Sequence, residues 1–175
     1  MLTPVSGTAW DSKAALLEFL RTTEGPSLLV GEGTEGGREY LSFSVGGDRG
    51  VVEVGVISAI PGSFVAAVAM GGGCHLVVGH DTWGTVIELR GPSVARCLRL
   101  SGVFYEFVHV EHDSEMVVLH ELGAVRIDER GRVRWTAETG VVESWHYLEG
   151  TKLVLDIMDQ EPVVISVASG EQVAE

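Results

Sequence analysis

Three stretches of this chain repeat one pattern, and that repetition constrains the fold more than any motif does. They are SFVAAVAMGGGCHLVVGHDTWGTVIEL, YEFVHVEHDSEMVVLHELGAVRID and VESWHYLEGTKLVLDIMDQEPVVISV. Set under one another, Leu76, Met116 and Leu153 share a column, and Val86, Val125 and Val164 share a second. Each unit reads strand, tight turn, strand, turn, strand. The middle unit adds a fourth strand, RGRVRWTAE, after the turn DERG. A meander of three or four short strands cannot bury both of its faces alone, so successive units must pack on one another.

The units occupy residues 63–100, 103–138 and 141–174. Before them, 27–57 reads as β-hairpins. SLLVGEG and REYLSFSV flank a glycine-rich turn, Gly33 to Gly37, and SVGGDRGVVEVGV turns at Gly46 to Gly50. A helix is expected over 10–24, with Asp11 or Ser12 as N-cap and Gly25-Pro26 as the stop. Trp10, Leu16, Leu17 and Leu20 make its apolar stripe. The expectation is a single domain, 1–175, that is mainly β. Antiparallel β-meander repeats form a curved sheet, sandwich or partial propeller, with one N-terminal α-helix.

In the middle unit, DERGRVRW places Asp128, Gly131 and Trp135 in sequence. This resembles the aspartate-glycine-tryptophan blade signature of quinoprotein-type β-propellers. The first unit lacks the tryptophan and the third has SVASGEQV instead. The resemblance implies blade-like stacking of the units. Propellers need about four blades or more, and only 27–57 remains to form a fourth. No cofactor or activity is carried over from that family.

The net charge of −13 disfavours nucleic acid, because a phosphate backbone is repelled by such a field, and favours a basic partner. Val54 to Cys74 is free of charge, but Pro61-Gly62 and Gly71-Gly72-Gly73 cut it into strand-sized pieces, so no membrane span is expected. The start, MLTPVSGTAWDSK, does not read as a signal peptide. Two thiols, Cys74 and Cys97, then point to the reducing cytoplasm.

MGGGCHLVVGHD looks catalytic, but in all three units it falls on the turn between the first two strands. Adjacent strand residues point to opposite faces, which sets His75 badly to activate Cys74. In HVEHDSEMVVLHE, a hairpin tip at His112-Asp113 pairs Met116 with His109 and His120 with Tyr105. That separates His109 and His120 by roughly 13 Å, too far for one metal ion. Two histidine columns remain, His80 with His120 and His109 with His146, both expected as sheet residues inherited with the repeat. Arg130, Arg132 and Arg134 read as a solvated strand face. No catalytic residue, metal site or cofactor is expected, nor enzyme activity.

The helix followed by SLLVGEG and YLSFSVGGDRGVVEV resembles small bacterial immunity proteins that neutralise polymorphic toxins. The resemblance implies an acidic cytosolic protein that occludes a basic toxin surface. Candidate partner-facing residues are Trp83 and the acidic-turn residues Glu111, His112, Asp113, Glu115, Asp156, Asp159 and Glu161. The alternative is a small-ligand-binding β-barrel or propeller-like domain. Its cavity would be lined by Tyr105, Phe107, His109 and Trp145, or by their opposite-face neighbours.

Overall fold

A computed structural model describes residues 2–31, 39–47, 50–110 and 115–173. The chain begins with β1 (Thr3–Val5), β2 (Gly7–Trp10), α1 (Lys13–Thr22), β3 (Ser27–Val30), β4 (Glu39–Gly47) and β5 (Gly50–Ser58). The first repeat supplies β6 (Ala66–Met70), β7 (His75–His80), β8 (Trp83–Glu88) and β9 (Ser93–Arg99). The second supplies β10 (Phe104–His109), β11 (Met116–His120), β12 (Gly123–Ile127) and β13 (Val133–Glu138). The third supplies β14 (Val142–Leu148), β15 (Lys152–Ile157) and β16 (Val163–Ser166).

Each repeat is one antiparallel meander sheet, and the first also carries β1 on the outer edge of β6. A further sheet has the order β2-β4-β5-β3. The sheets stack face to face in chain order, as blades do. Alternation along the central strands explains how. Leu76 and Val78 of β7 face the β2–β5 sheet, while Val77 faces the second repeat. Met116 and Val118 of β11 face the first repeat, while Val117 and Leu119 face the third. Strands buried on both sides read as continuous apolar runs, which is why VVGH and MVVLH lack a polar face. The mainly-β array of antiparallel meander repeats with one N-terminal helix, expected from the repeat, is thus the observed architecture.

The blade-like residues of the second repeat weld its neighbours together. Asp128 closes the turn: its carboxylate accepts from the Arg130 and Arg132 amides, both at 2.9 Å. Gly131 holds φ 71°, and a Cβ there would stand 2.4 Å from Val86 of the first repeat. Trp135 donates its indole N–H to the Val167 carbonyl of the third repeat at 2.8 Å.

Strand pairing corrects the repeat alignment by one residue. Leu76, Met116 and Leu153 do share a face, each toward the preceding sheet. Val86 and Val164 point the other way, whereas Val125 points back with Met116. The true counterpart of Val86 is Arg126, ten residues after Met116 as Val86 is ten after Leu76. A one-residue slip reverses the face. Arg126 reaches the third repeat, where its Nη1 donates to the Val167 carbonyl at 2.6 Å.

The N-terminal region departs further from expectation. Helix α1 is shorter than 10–24, and Ser12 is its N-cap, its hydroxyl accepting from the Ala15 amide at 3.2 Å. Trp10 belongs to β2, where its ring stacks on Phe19 at 4.7 Å and its indole donates to Ser42 Oγ. β3 does not form a hairpin with β4; it runs parallel to β5 on the far edge of the sheet from β2, and α1 makes the connection from β2 to β3. Leu16, Leu20 and Ile57 are buried where helix meets sheet. The expected Gly33–Gly37 turn lies outside the described residues.

Candidate functional site

The first strands of the three repeats, β6, β10 and β14, begin on one rim of the stack. There a cleft of about 770 Å³ opens between elements of all three. Its walls are Tyr105 and Glu106 from β10, Val141 to Trp145 leading into β14, Met158 after β15, and Phe64 ahead of β6. Phe64 is 61% exposed and Met158 46% exposed, both unusual for such side chains. The Phe64 and Tyr105 rings meet nearly at right angles, 83°, with centroids 6.1 Å apart. The Trp145 indole N–H donates to the Glu106 carboxylate, and Ser144 donates to Asp156. Beside it, a second groove of about 340 Å³ continues past Glu106 and Phe107 to Val5 and Leu41. Among the described residues, the lining of the first cleft contains two carboxylates, Glu106 and Glu143, and no lysine or arginine.

The repeated histidines end the second strands of their sheets, and His120 lies opposite Phe104 at the start of β10. His80 and His120 are the last residues of β7 and β11, each before a two-residue turn, and both are buried. His80 Nδ1 lies 3.4 Å from Asp81. Asp81 in turn accepts from the Ser58 hydroxyl at 2.7 Å and from the Ile60 and Ala59 amides at 3.0 and 3.1 Å. It thereby ties down the loop that delivers Phe64. Burial acts to raise the Asp81 pKa, but the Ser58, Ile60 and Ala59 hydrogen bonds and the charge of His80 outweigh it, and the carboxyl titrates below its ordinary range. Burial pushes His80 and His120 down. His120 Nδ1 accepts from the Leu122 amide at 3.3 Å, while its Nε2 is buried without a partner among the described residues. Tyr105 is pushed up by burial and then by the nearby Glu121.

The expected contact residues scatter. Trp83 is half-buried under the Arg99 guanidinium, 4.7 Å from the ring centroid. Glu111, His112 and Asp113 lie outside the described residues. Glu115 is not presented outward: its carboxylate pairs with Arg126 at 2.7 Å and Arg134 at 2.9 Å, leaving 14% of the side chain exposed. A buried arginine needs that charge beside it. Asp156 is half-buried against Ser144, while Asp159 and Glu161 are exposed. Of the four ligand-cavity residues, Tyr105 and Trp145 do line the cleft and Phe107 lines its extension. His109 lines neither; its carbonyl accepts from the Tyr147 hydroxyl. Phe64, Glu106, Glu143 and Met158 carried no sequence signal beyond an aromatic after Pro-Gly.

Three further expectations are corrected by geometry. His109 pairs with Met116 as expected, but a bulge at Tyr105 sets His120 opposite Phe104. His109 and His146 are not equivalent: Tyr147, opposite Leu153, holds the position of His109 opposite Met116. Cys74 is not on a strand. It ends a 3-10 turn, Gly71–Gly73, with φ −79° and ψ −28°, so strand alternation does not separate it from His75. Both border a depression of about 440 Å³ with Glu88, Arg90, Glu129 and Arg130. Among the described residues no group of three or more side chains is placed to hold a metal ion, and no helix is long and apolar enough to cross a membrane. Arg132 and Arg134 are engaged by Asp128 and Glu115.

No known family model matches the sequence, and no curated protein matches it. In fold it is similar to the crystal structure of BamB from Moraxella catarrhalis, a β-propeller, at 14% identity and a TM-score of 0.49. The likeness covers 99% of this chain and 51% of that one, so this chain spans about half its length.

Proposed function

We propose that this chain is a non-catalytic, cytoplasmic binding module that takes up a basic protein, in the manner of an immunity protein neutralising a basic toxin. One observation carries the reading. Phe64, Tyr105 and Trp145 converge from three repeats on one cleft whose charged walls are carboxylates. Aromatic faces and carboxylates together suit an arginine or lysine side chain, by cation–π attraction and ion pairing. The net charge of −13 adds long-range steering of a basic partner. The size of the cleft also suits a small ligand, the second reading.

A photo-crosslinking residue at Tyr105, expressed in the native host, tests the proposal. The expected product joins the chain to a basic protein, with a yield that falls as salt rises. Phe64→Ala is expected to weaken the isolated complex about tenfold or more, as for an interface anchor. Because Phe64 is 61% exposed, its removal should change folding stability by less than about 0.5 kcal/mol. Crosslinks to acidic proteins alone, or a Phe64→Ala variant of unchanged affinity, would refute the reading. Retention of a small molecule in place of a protein would transfer support to the second reading.

A further inference from the structure

The stack contains its own example of how an extended segment docks. β1 adds antiparallel to the free edge of β6, the first strand of the first repeat, through Thr3↔Ala69, Pro4↔Val68 and Val5↔Ala67. β10 and β14 are the corresponding strands of the other repeats, and among the described residues each ends its sheet with one edge unpaired by another strand. The two edges differ. On β10, the His109 carbonyl is taken by the Tyr147 hydroxyl at 2.9 Å, and the Glu106 side chain by Trp145. On β14, Glu143 to His146 make no backbone hydrogen bond among the described residues except to β15. Glu143, Ser144 and His146 are exposed. No lysine, arginine or proline guards this stretch, although such residues commonly protect a strand edge. Glu143, Ser144 and Trp145 also form one wall of the aromatic cleft.

We infer that the free edge of β14, from Glu143 to His146, receives an extended basic segment of the partner as an added antiparallel strand. This rests on the binding role proposed above and specifies its mode. Main-chain hydrogen bonds to β14 would hold the segment, as β6 holds β1, while alternate side chains enter the cleft. Basic residues are required because Glu106 and Glu143 line the path. A second copy is disfavoured, since it brings together two chains of charge −13 with their acidic walls facing.

The test uses the full chain, 15N-labelled, and a blocked nonapeptide alternating Lys or Arg with Val or Thr. Two further peptides carry backbone N-methyl groups, one on the odd residues and one on the even. Only one set of amides can face β14, so one methylated peptide should bind like the parent and the other about tenfold more weakly or worse. The parent should slow amide exchange at Ser144, Trp145 and His146, and Glu143→Lys should weaken it. Equal binding of all three peptides would overturn strand addition and leave the basic-partner reading standing. Failure of the parent peptide to bind would overturn both. Exchange protection of β14 that grows with protein concentration in the absence of peptide would assign the edge to a second copy and overturn the inference.

Discussion

Replacing Asp81 by Asn tests whether one carboxylate holds the loop that builds the cleft. Asp81 sits at φ 47°, a left-handed conformation that Asn also tolerates, so the change probes charge rather than backbone strain. Its two oxygens accept from Ser58 at 2.7 Å, Ile60 at 3.0 Å and Ala59 at 3.1 Å, and lie near His80. An amide offers one acceptor oxygen and turns an N–H₂ toward the remaining donors. At least one buried donor then loses its partner, at about 1–3 kcal/mol, and the surviving bonds lose their ionic strengthening. The expected loss is about 2–3 kcal/mol, a fall of about 5–10 °C in Tm for a chain of this size. Urea unfolding followed by tryptophan fluorescence at pH 7 measures it. A pH series supplies the sign. The folded pKa lies below the ordinary 3.8, so the native state binds fewer protons than the unfolded chain. The stabilisation is complete above that value and is lost as pH falls through the folded pKa. The gap between wild type and Asp81→Asn should therefore stay constant from pH 7 to about pH 5 and close in stronger acid. A loss below about 0.5 kcal/mol at pH 7, or a gap that persists unchanged at low pH, would refute the reasoning.

Gly79→Ala should cost about 1–3 kcal/mol by overpacking, because the new Cβ would stand 2.4 Å from the Phe104 ring; thermal unfolding reads it. Trp135→Phe should cost about 1 kcal/mol in urea unfolding, since the Val167 carbonyl keeps the Arg126 donor after the indole is gone. His80 and His120 are held below the ordinary 6.5 by burial. Protons then enter the unfolded chain first, so stability should fall as pH drops from about 6.5 toward the folded values. His120→Gln should make that slope shallower in the same urea series, and an unchanged slope would remove His120 from the explanation.

Part of this was legible in residues. The apolar runs of β7, β11 and β15 and the turns between them declare stacked meanders. Ser12 and Leu16–Leu20 declare the helix. The recurrence of His80 as His120 was visible too, although its purpose was not. Asp81, the residue that links His80 to the Phe64 loop, acts on Ser58 to Ile60, more than twenty positions earlier. The immunity-protein resemblance placed partner contacts on acidic turns. The aromatic cleft instead draws on Phe64, Tyr105 and Trp145, which no spacing rule connects.

Local pattern by itself determined the strands, the meander repeat and the acidic surface, because periodicity and turn chemistry act over a few residues. Tertiary structure alone decided the parallel placement of β3, the role of β1 and β2 as edge strands, and the one-residue shift that makes Arg126 the counterpart of Val86. Each depends on which faces and edges remain unpaired after the sheets stack, and that competition is settled between segments far apart in sequence. The cleft has the same origin. It lies where three repeats meet, so it exists only once they are packed.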